Sequence, residues 1–480
     1  MLTRDEFQTI YDQGGDAVFA LVSTFHEQIA LLSAQVKDLT DRLDKDSHNS
    51  HKPPSSDGLA KKPVSLRPQT GRKPGGQKGH EGNTLTLSDT PDTLVLHTPL
   101  ACGHCGTLFD PASARDTGQR RQVLDLPPLR LVVTEHRTAA CDCPCCGKQT
   151  SGAFPAAVTQ PVQYGSGLAG LAVYLSTFQL LPVARIARLF ADVFAAPLST
   201  GTLATFTQRA ASRLAPVCER IRHSLRTAPV VHCDETGLRT AGRLHWLHSA
   251  GTKTLTYYFA HPKRGTVGMD AAGIVPHVTG TLVHDGWASY ASYSCRHALC
   301  NAHHLRELTA LSEAGGQEWA KALRSLLSQM HNEVEAAKAK GQTRLSVLLE
   351  AKFEGEYRRL LKVGWQANPP PLPSGGKRRG RVKQSTARNL LARLEQGEEA
   401  VLRFLHDFAV PFDNNLAERD VRMMKVKQKV SGCFRTLDGA EVFCLIRSYV
   451  STMRKQGQLL LVALQHVYEG NPLQPNFMPE

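Results

Sequence analysis

The chain has 480 residues, of which 41% are hydrophobic, and carries 57 Lys+Arg against 43 Asp+Glu for a net charge of +14. At about 150 residues per domain that length suggests roughly three domains and permits at least one large packed core. The positive balance suits a polyanionic partner. A secretory leader is not expected, because Met1-Leu-Thr-Arg-Asp-Glu opens with mixed charge. The uncharged stretch 149–182 is too interrupted by Gly, Pro, Ser, Thr and Gln to be expected to span a membrane. A cytoplasmic protein without a membrane partner is therefore expected.

In residues 1–45, Val18, Val22, Phe25, Ile29, Leu32, Val36, Leu39 and Leu43 recur at alternating steps of four and three. That is the a/d seam of a coiled coil or leucine-zipper-like helix, and it predicts a homo-oligomer. A helix packed on its own domain is the other reading. Residues 46–83 turn to Ser, Pro, Gly, Lys and Arg and cannot bury enough apolar area to fold alone. They are predicted to be a flexible basic linker, lying along phosphates or merely tethering.

Residues 84–153 hold two C-x-x-C-G knuckles, Cys102-Gly-His-Cys105-Gly and Cys143-Pro-Cys-Cys146-Gly. Each presents two sulfurs, so Cys102, Cys105, Cys143 and Cys146 are candidate ligands of one tetrahedral structural Zn²⁺ with no open position. Cys141 and Cys145 are surplus, and His104 and His136 are weaker candidates. Gln122 to Pro128 and Leu129 to His136 are predicted to be two strands of a small zinc ribbon. Residues 154–227 are predicted helical. Their Ser199-Thr-Gly-Thr break is compatible with a helix-turn-helix that offers Thr205, Gln208, Arg209 and Arg213 to DNA, or with an ordinary helical hairpin.

Residues 228–309 are predicted to form a first part of a catalytic core. Ala228 to Asp234, Leu244 to Ser249 and Leu255 to Ala260 are strands at hairpin spacing, and Gly280 to Asp285 is a fourth. A meander of three strands followed by an acid-bearing fourth matches the order of an RNase H-like core. There the first and fourth strands lie side by side, so Asp234 and Asp285 are expected at neighbouring strand tips. Singly, each is more ordinarily a turn or cap residue. His232 and His284 are expected to alternate outward. Cys300-Asn-Ala-His303 follows, and Cys300 and His303 are accessory candidates for capping a helix, binding DNA or packing; His304 and Arg306 extend that helix's polar face. Two ligands alone make a poor zinc site.

Residues 310–395 are predicted to be a helical insertion, interrupted by a basic loop from Pro369 to Arg381. Residues 396–455 resume the core and 456–480 form a tail. Asp413 or Asn414 is expected to cap a helix with Glu418 about one turn inside. Arg419, Arg422, Lys425, Lys427 and Lys429 follow, with Arg435 in a basic turn, and all six are DNA-binding candidates. Asp420 and Glu441 are rivals to Glu418, though Asp420 should project from another helix face. Carboxylates on two strands and a helix are a way to hold a pair of Mg²⁺ ions, which prefer oxygen to the many His and Cys nearby.

His-Cys-Asp234-Glu-Thr, His-Asp285-Gly-Trp-Ala-Ser-Tyr and Asn414-Asn415-Leu-Ala-Glu418-Arg419 resemble the motif set of the DDE transposases of the insertion sequence 66 family. The coil, linker, zinc ribbon and helical segment stand in that family's order, so the resemblance covers nearly the whole chain. It implies an α/β protein whose RNase H-like core carries a large helical insertion, with Asp234, Asp285 and Glu418 as catalytic, metal-binding triad. It further implies two Mg²⁺ (or Mn²⁺) ions and cleavage of double-stranded DNA at element ends. The freed 3′-OH then attacks target DNA. Accessory proteins of the same element and a bacterial, nucleoid-associated location also follow from it. A zinc-containing DNA-binding regulator with an inactive RNase H-like domain is the alternative, as is a related nuclease or resolvase.

Overall fold

The computed structural model describes residues 3–43, 85–127, 129–370 and 384–478. The basic linker at 46–83 and nearly all of the basic loop lie outside the described residues. At the N-terminus, Thr3 accepts the Glu6 N–H while Glu6 accepts the Thr3 N–H at 2.8 Å, a reciprocal cap that opens α1, Arg4–Tyr11. Next, α2 runs unbroken over Gly15–Leu43 and carries the heptad seam. Val22, Ile29 and Val36 on that seam are 57%, 63% and 62% exposed.

The described residues of 85–160 are almost entirely exposed, with little regular secondary structure. Among the described residues of 122–136, the two expected strands do not form. Pro127 and Pro128 remove adjacent backbone donors where the ladder would run. Pairing instead brackets the second knuckle, where β1, Ala140–Asp142, runs antiparallel to β2, Gln149–Ser151.

The helical segment begins with α3, Ser166–Val173, which widens into a π turn over Tyr174–Phe178. It continues with α4, Val183–Phe194, and α5, Thr200–Arg226, whose first turn is capped by Ser199. Leu203, Phe206, Ala210, Leu214, Val217 and Ile221 recur at helical spacing on α5 and are all buried. Their core also takes in Val231 and Cys233 of the sheet, so these helices pack directly on it.

The sheet contains β3, Val230–Thr240; β4, Arg243–Gly251; and β5, Thr256–His261. After α6, Thr266–Ala272, come β6, Thr281–His284, and β7, Arg296–Leu299. Their order is β5-β4-β3-β6-β7, antiparallel through the meander and parallel from β3 to β6 to β7. Ala241 and Gly242 both have positive φ in the two-residue β3–β4 turn, the backbone that matches the twist of a hairpin. At the entry to β6, a Cβ on Gly280 would lie 2.2 Å from the Ala228 carbonyl oxygen, so only glycine lets this strand approach β3. The fifth strand, β7, was not expected; four residues are too few to show a period.

A second core belongs to the helices that follow: α7, Asn301–Gly315; α8, Glu318–Ala339; α9, Val347–Ala367; and α10, Thr386–Gln396. Two short turns, α11 at Glu398–Val401 and α12 at Arg403–His406, close it. Leu323, Leu327, Met330, Tyr357, Leu390 and Leu394 fill this core, and the Tyr357 hydroxyl donates to the Leu394 carbonyl at 2.9 Å. The chain returns to the sheet through α13, Asn415–Ser431, and α14, Leu437–Lys455. Ser448 and Thr452 of α14 accept the backbone N–H groups of Tyr258 and Thr256, which covers the β5 edge.

Residues 456–478 are not a tail. They include α15, Leu460–Glu469, whose Ala463, Leu464 and Val467 are buried in the core shared by α3 and α5. Arg213 donates to the Val467 and Tyr468 carbonyls at 2.8 and 2.7 Å, so this DNA-binding candidate is engaged at the end of α15. Leu464→Ala should therefore cost about 2–5 kcal/mol in denaturant unfolding. A loss below about 1 kcal/mol would contradict a core role for α15.

Candidate active site

Asp234 lies within β3 rather than at its tip, because the strand continues to Thr240. Parallel pairing with β6 nevertheless stops at His232↔Val283, two residues earlier, and Asp285 follows β6 directly. Both acids thus sit where the parallel ladder gives out. Strand alternation turns His232, Asp234 and Thr236 to the side covered by α13, and Cys233 and Glu235 to the other.

Glu418 occupies the first turn of α13. Asp413, just before the N-cap Asn414, accepts the Asn415 N–H at 3.0 Å in an Asx turn that leads into the helix. Asn414 has a different task. Its buried side chain donates to the Cys233 carbonyl and pairs with His232 Nδ1, each at 2.8 Å. Its backbone N–H meets Cys300 Sγ at 3.2 Å. One asparagine therefore ties the start of α13 to β3 and to the end of β7.

Burial pushes the Asp234 carboxyl well above its ordinary range, and the charges of Glu235, Asp285 and Glu418 push it further. The Glu235 N–H, donated to Asp234 Oδ1 at 2.8 Å, opposes that shift. Asp285 Oδ1 accepts the Trp287 N–H at 2.8 Å. Among the described residues, neither aspartate's second oxygen accepts a hydrogen bond. Glu418 Oε1 lies 3.4 Å from His303 Nε2 and 3.9 Å from Arg306 Nη2. The Cys300 thiol is 4.0 Å from the same oxygen. The donor set is oxygen-rich, anionic and only partly committed, which suits hard divalent cations.

Glu235 was not singled out by the sequence, although it adjoins Asp234. It is buried and satisfied: Arg264 donates to Oε1 from Nη2 at 2.7 Å and Nε at 3.0 Å, and the Tyr290 hydroxyl donates to Oε2 at 2.8 Å. Arg264 also lies over Trp287 and Trp246, 4.0 and 4.9 Å from their ring centroids. The two histidines expected to face outward are buried. Asn414 holds His232, while His284 stacks on Tyr290 and approaches His297 at 3.0 Å. Burial, aided by His297, pushes His284 down to about 3 and keeps it neutral.

Of the rival acids, Asp420 accepts from Lys455 at 2.8 Å and from Thr256 at 3.3 Å, away from Glu418, and Glu441 is exposed on α14. Among the basic candidates, Arg419, Arg422, Lys429 and Arg435 are exposed. Lys425 reaches the Gly237 carbonyl at 3.2 Å. Lys427 departs from expectation. It is buried, donates to the Gly432 carbonyl at 3.1 Å and lies 3.9 Å from the Phe434 ring centroid, so it closes the end of α13.

The two knuckles share one local geometry. Gly106 donates to the Cys102 carbonyl and Gly147 to the Cys143 carbonyl, each at 2.9 Å and each glycine with positive φ. Thr107 holds the Cys105 thiol below its ordinary pKa, and the backbone of Cys146 and Cys145 does so for Cys143. Easier ionisation fits thiolate ligation of zinc. Among the described residues, the group of three or more donors close enough for one ion is Cys300, His303 and Glu418, within 4.8 Å of one another.

A family model described as "Transposase IS66 family" matches residues 161–442, more than half of the chain. The "zinc-finger binding domain of transposase IS66" matches residues 99–147, which supports a structural Zn²⁺ in the knuckle segment. A family of unknown function matches residues 6–86. No curated protein matches the chain.

The electrostatics carry a stability consequence. The folded state keeps the Asp234 proton to higher pH than the unfolded chain, whose aspartates titrate near about 3.9. Metal-free stability therefore falls as pH rises through that value toward the raised folded pKa. Asp234→Asn should raise the Tm of metal-free protein by a few degrees near neutrality and leave it unchanged below about pH 3, where both states are protonated. A melting difference that does not vary with pH would contradict the shift.

Proposed function

The chain belongs to the transposase IS66 family, and on that premise we propose that it cleaves and joins DNA by a DDE mechanism with Asp234, Asp285 and Glu418 as the metal-holding triad. The observation that carries this reading is that Asp234 and Asp285 both stand where the parallel β3–β6 ladder gives out, with Glu418 in the first turn of α13, which Asn414 ties to β3. The side-by-side placement of β3 and β6 supports an RNase H-like assignment, in which the first and fourth strands are neighbours.

Two Mg²⁺ or Mn²⁺ ions, when bound, stabilise the attacking and leaving oxygens of an in-line phosphodiester displacement. The protein's contribution is placement. Asp234 and Asp285 are held by backbone N–H groups through one oxygen each, leaving the other for an ion. Glu418 is set by the Asp413 turn that leads into α13 and by the Asn414 link to β3. Crowding three carboxylates costs energy in the metal-free protein, and cations relieve it.

Arg419, Arg422, Lys429 and Arg435 lie exposed on and beyond α13, so they run along phosphates that reach the acids. Exposed Thr205, Gln208 and Arg209 on α5 offer a second DNA surface. The zinc-bearing knuckles serve an architectural or DNA-contacting role. The exposed α2 seam pairs two copies of the chain, which suits the capture of two DNA ends. Accessory proteins of the element join this assembly on the nucleoid. Among the described residues, no helix is long and apolar enough to cross a membrane.

Asp234→Ala, Asp285→Ala and Glu418→Ala should each reduce cleavage and joining of labelled element ends to background while end binding persists in a gel shift. Strand transfer by any of the three would refute that residue's role. Arg422→Ala and Lys429→Ala should each lower the slope of log affinity against log salt by about 0.9 on duplex DNA. Lys427→Ala should instead lower the melting temperature and leave that slope unchanged; a reduced slope would put Lys427 on DNA.

A further inference from the structure

We propose that Cys300, His303 and Glu418 form a site for a thiophilic divalent cation of the Zn²⁺ class. Its donor chemistry differs from that of the all-carboxylate set, although it shares Glu418 with that set.

The three donors come from two helix starts. Cys300 precedes α7, His303 lies in its first turn, and Glu418 lies in the first turn of α13. His303 Nε2 is 3.4 Å and Cys300 Sγ is 4.0 Å from Glu418 Oε1, and all three donor atoms lie within 4.8 Å of one another. Tetrahedral zinc with sulfur, nitrogen and oxygen ligands brings donor atoms to about 3.3–3.8 Å apart. Contraction of about 1 Å or less completes that geometry. A nitrogen, an oxygen and a sulfur together favour zinc-class ions over Mg²⁺, which has little affinity for sulfur.

The surroundings already hold these ligands. The Asn414 N–H points at Cys300 Sγ at 3.2 Å, an outer contact of the kind that steadies a metal-bound thiolate. Cys300 N–H donates to the His284 carbonyl at 2.9 Å. Asn301, buried between Cys300 and His303, donates from its side chain to the Val401 carbonyl at 3.0 Å and meets His304 Nδ1 at 3.0 Å. Arg306, 3.9 Å from Glu418, opposes a cation and limits its affinity. Three protein ligands leave a fourth position open, unlike a closed structural site. An ion held here draws Glu418 away from Asp234 and Asp285, so Zn²⁺ inhibits the Mg²⁺-dependent reaction. That consequence rests on the proposed DDE function; the binding site does not.

The test titrates metal-stripped full-length protein with Co²⁺, reading bound equivalents and thiolate-to-cobalt charge-transfer absorption. Cys300→Ser and His303→Gln should each weaken one equivalent at least about tenfold. The knuckle variants Cys102→Ser and Cys143→Ser should leave that equivalent in place. His303→Gln keeps the buried thiol, so it remains informative if Cys300→Ser misfolds. Identical titrations of parent and His303→Gln would overturn the site. In DNA cleavage with Mg²⁺, the ratio of rates without and with added Zn²⁺ should fall at least about tenfold in His303→Gln. Zinc bound at this site with that ratio unchanged would overturn the inhibition. Cleavage by Asp234→Ala would strike the DDE reading and leave the cobalt result standing.

Discussion

Asp234 sits partly buried with the charges of Glu235, Asp285 and Glu418 all acting on it, and its carboxyl is displaced upward in consequence. Such a cluster is unfavourable in isolation and persists because its surroundings are over-determined. Glu235 is held on the far side of β3 by hydrogen bonds from Arg264 and Tyr290. Asn414 fixes the approach of α13, and Trp287 and Glu235 each donate a backbone N–H to one aspartate. The rest of the sheet reads as the apparatus that holds these charges together.

Alternation along β3 performs the sorting. Adjacent acids, Asp234 and Glu235, point to opposite faces, one toward α13 and the other toward an arginine wedged between two tryptophans. A slip of one residue would exchange them, placing the satisfied acid at the cluster and the clustered acid against Tyr290. Two features prevent that slip. The tight Ala241-Gly242 turn sets β3 against β4, and Gly280 admits β6 at a spacing that no side chain tolerates.

Much of this was legible in the chain because it is written in local patterns. β-branched runs marked β3 and β6, hairpin spacing marked β4 and β5, and a capping residue followed by a basic helical stretch marked α13. The misses share a cause: each was decided by contacts remote in sequence. Four-residue β7 has no period to detect and exists because β6 lies beside it. Residues 460–469 resemble a hydrophobic tail until α3 and α5 supply a partner face. Lys427 belongs to a basic run by composition but turns inward, where the Phe434 ring and the Gly432 carbonyl receive it. The Cys300-x-x-His303 pair read as a poor zinc site because it offers two ligands, and the third donor of the proposed site stands 118 residues from Cys300.

That separation raises the question of how Glu418 keeps its position across so long an excursion. The answer lies at the neck of the helical insertion. Asn301 N–H donates to the Phe412 carbonyl at 3.1 Å, and its side chain reaches the Val401 carbonyl at 3.0 Å, so the chain leaves and re-enters the sheet at a hydrogen-bonded junction. Phe412 is buried in the insertion's own core, while Asn414, two residues on, is bonded to β3. The insertion is also anchored beyond that junction, since Arg403 of α12 donates to the His297 carbonyl of β7 at 3.3 Å and Leu299 packs against the insertion's core. The placement of Glu418 therefore depends on hydrogen bonds and packing at the insertion's base, where α11 and α12 meet the sheet.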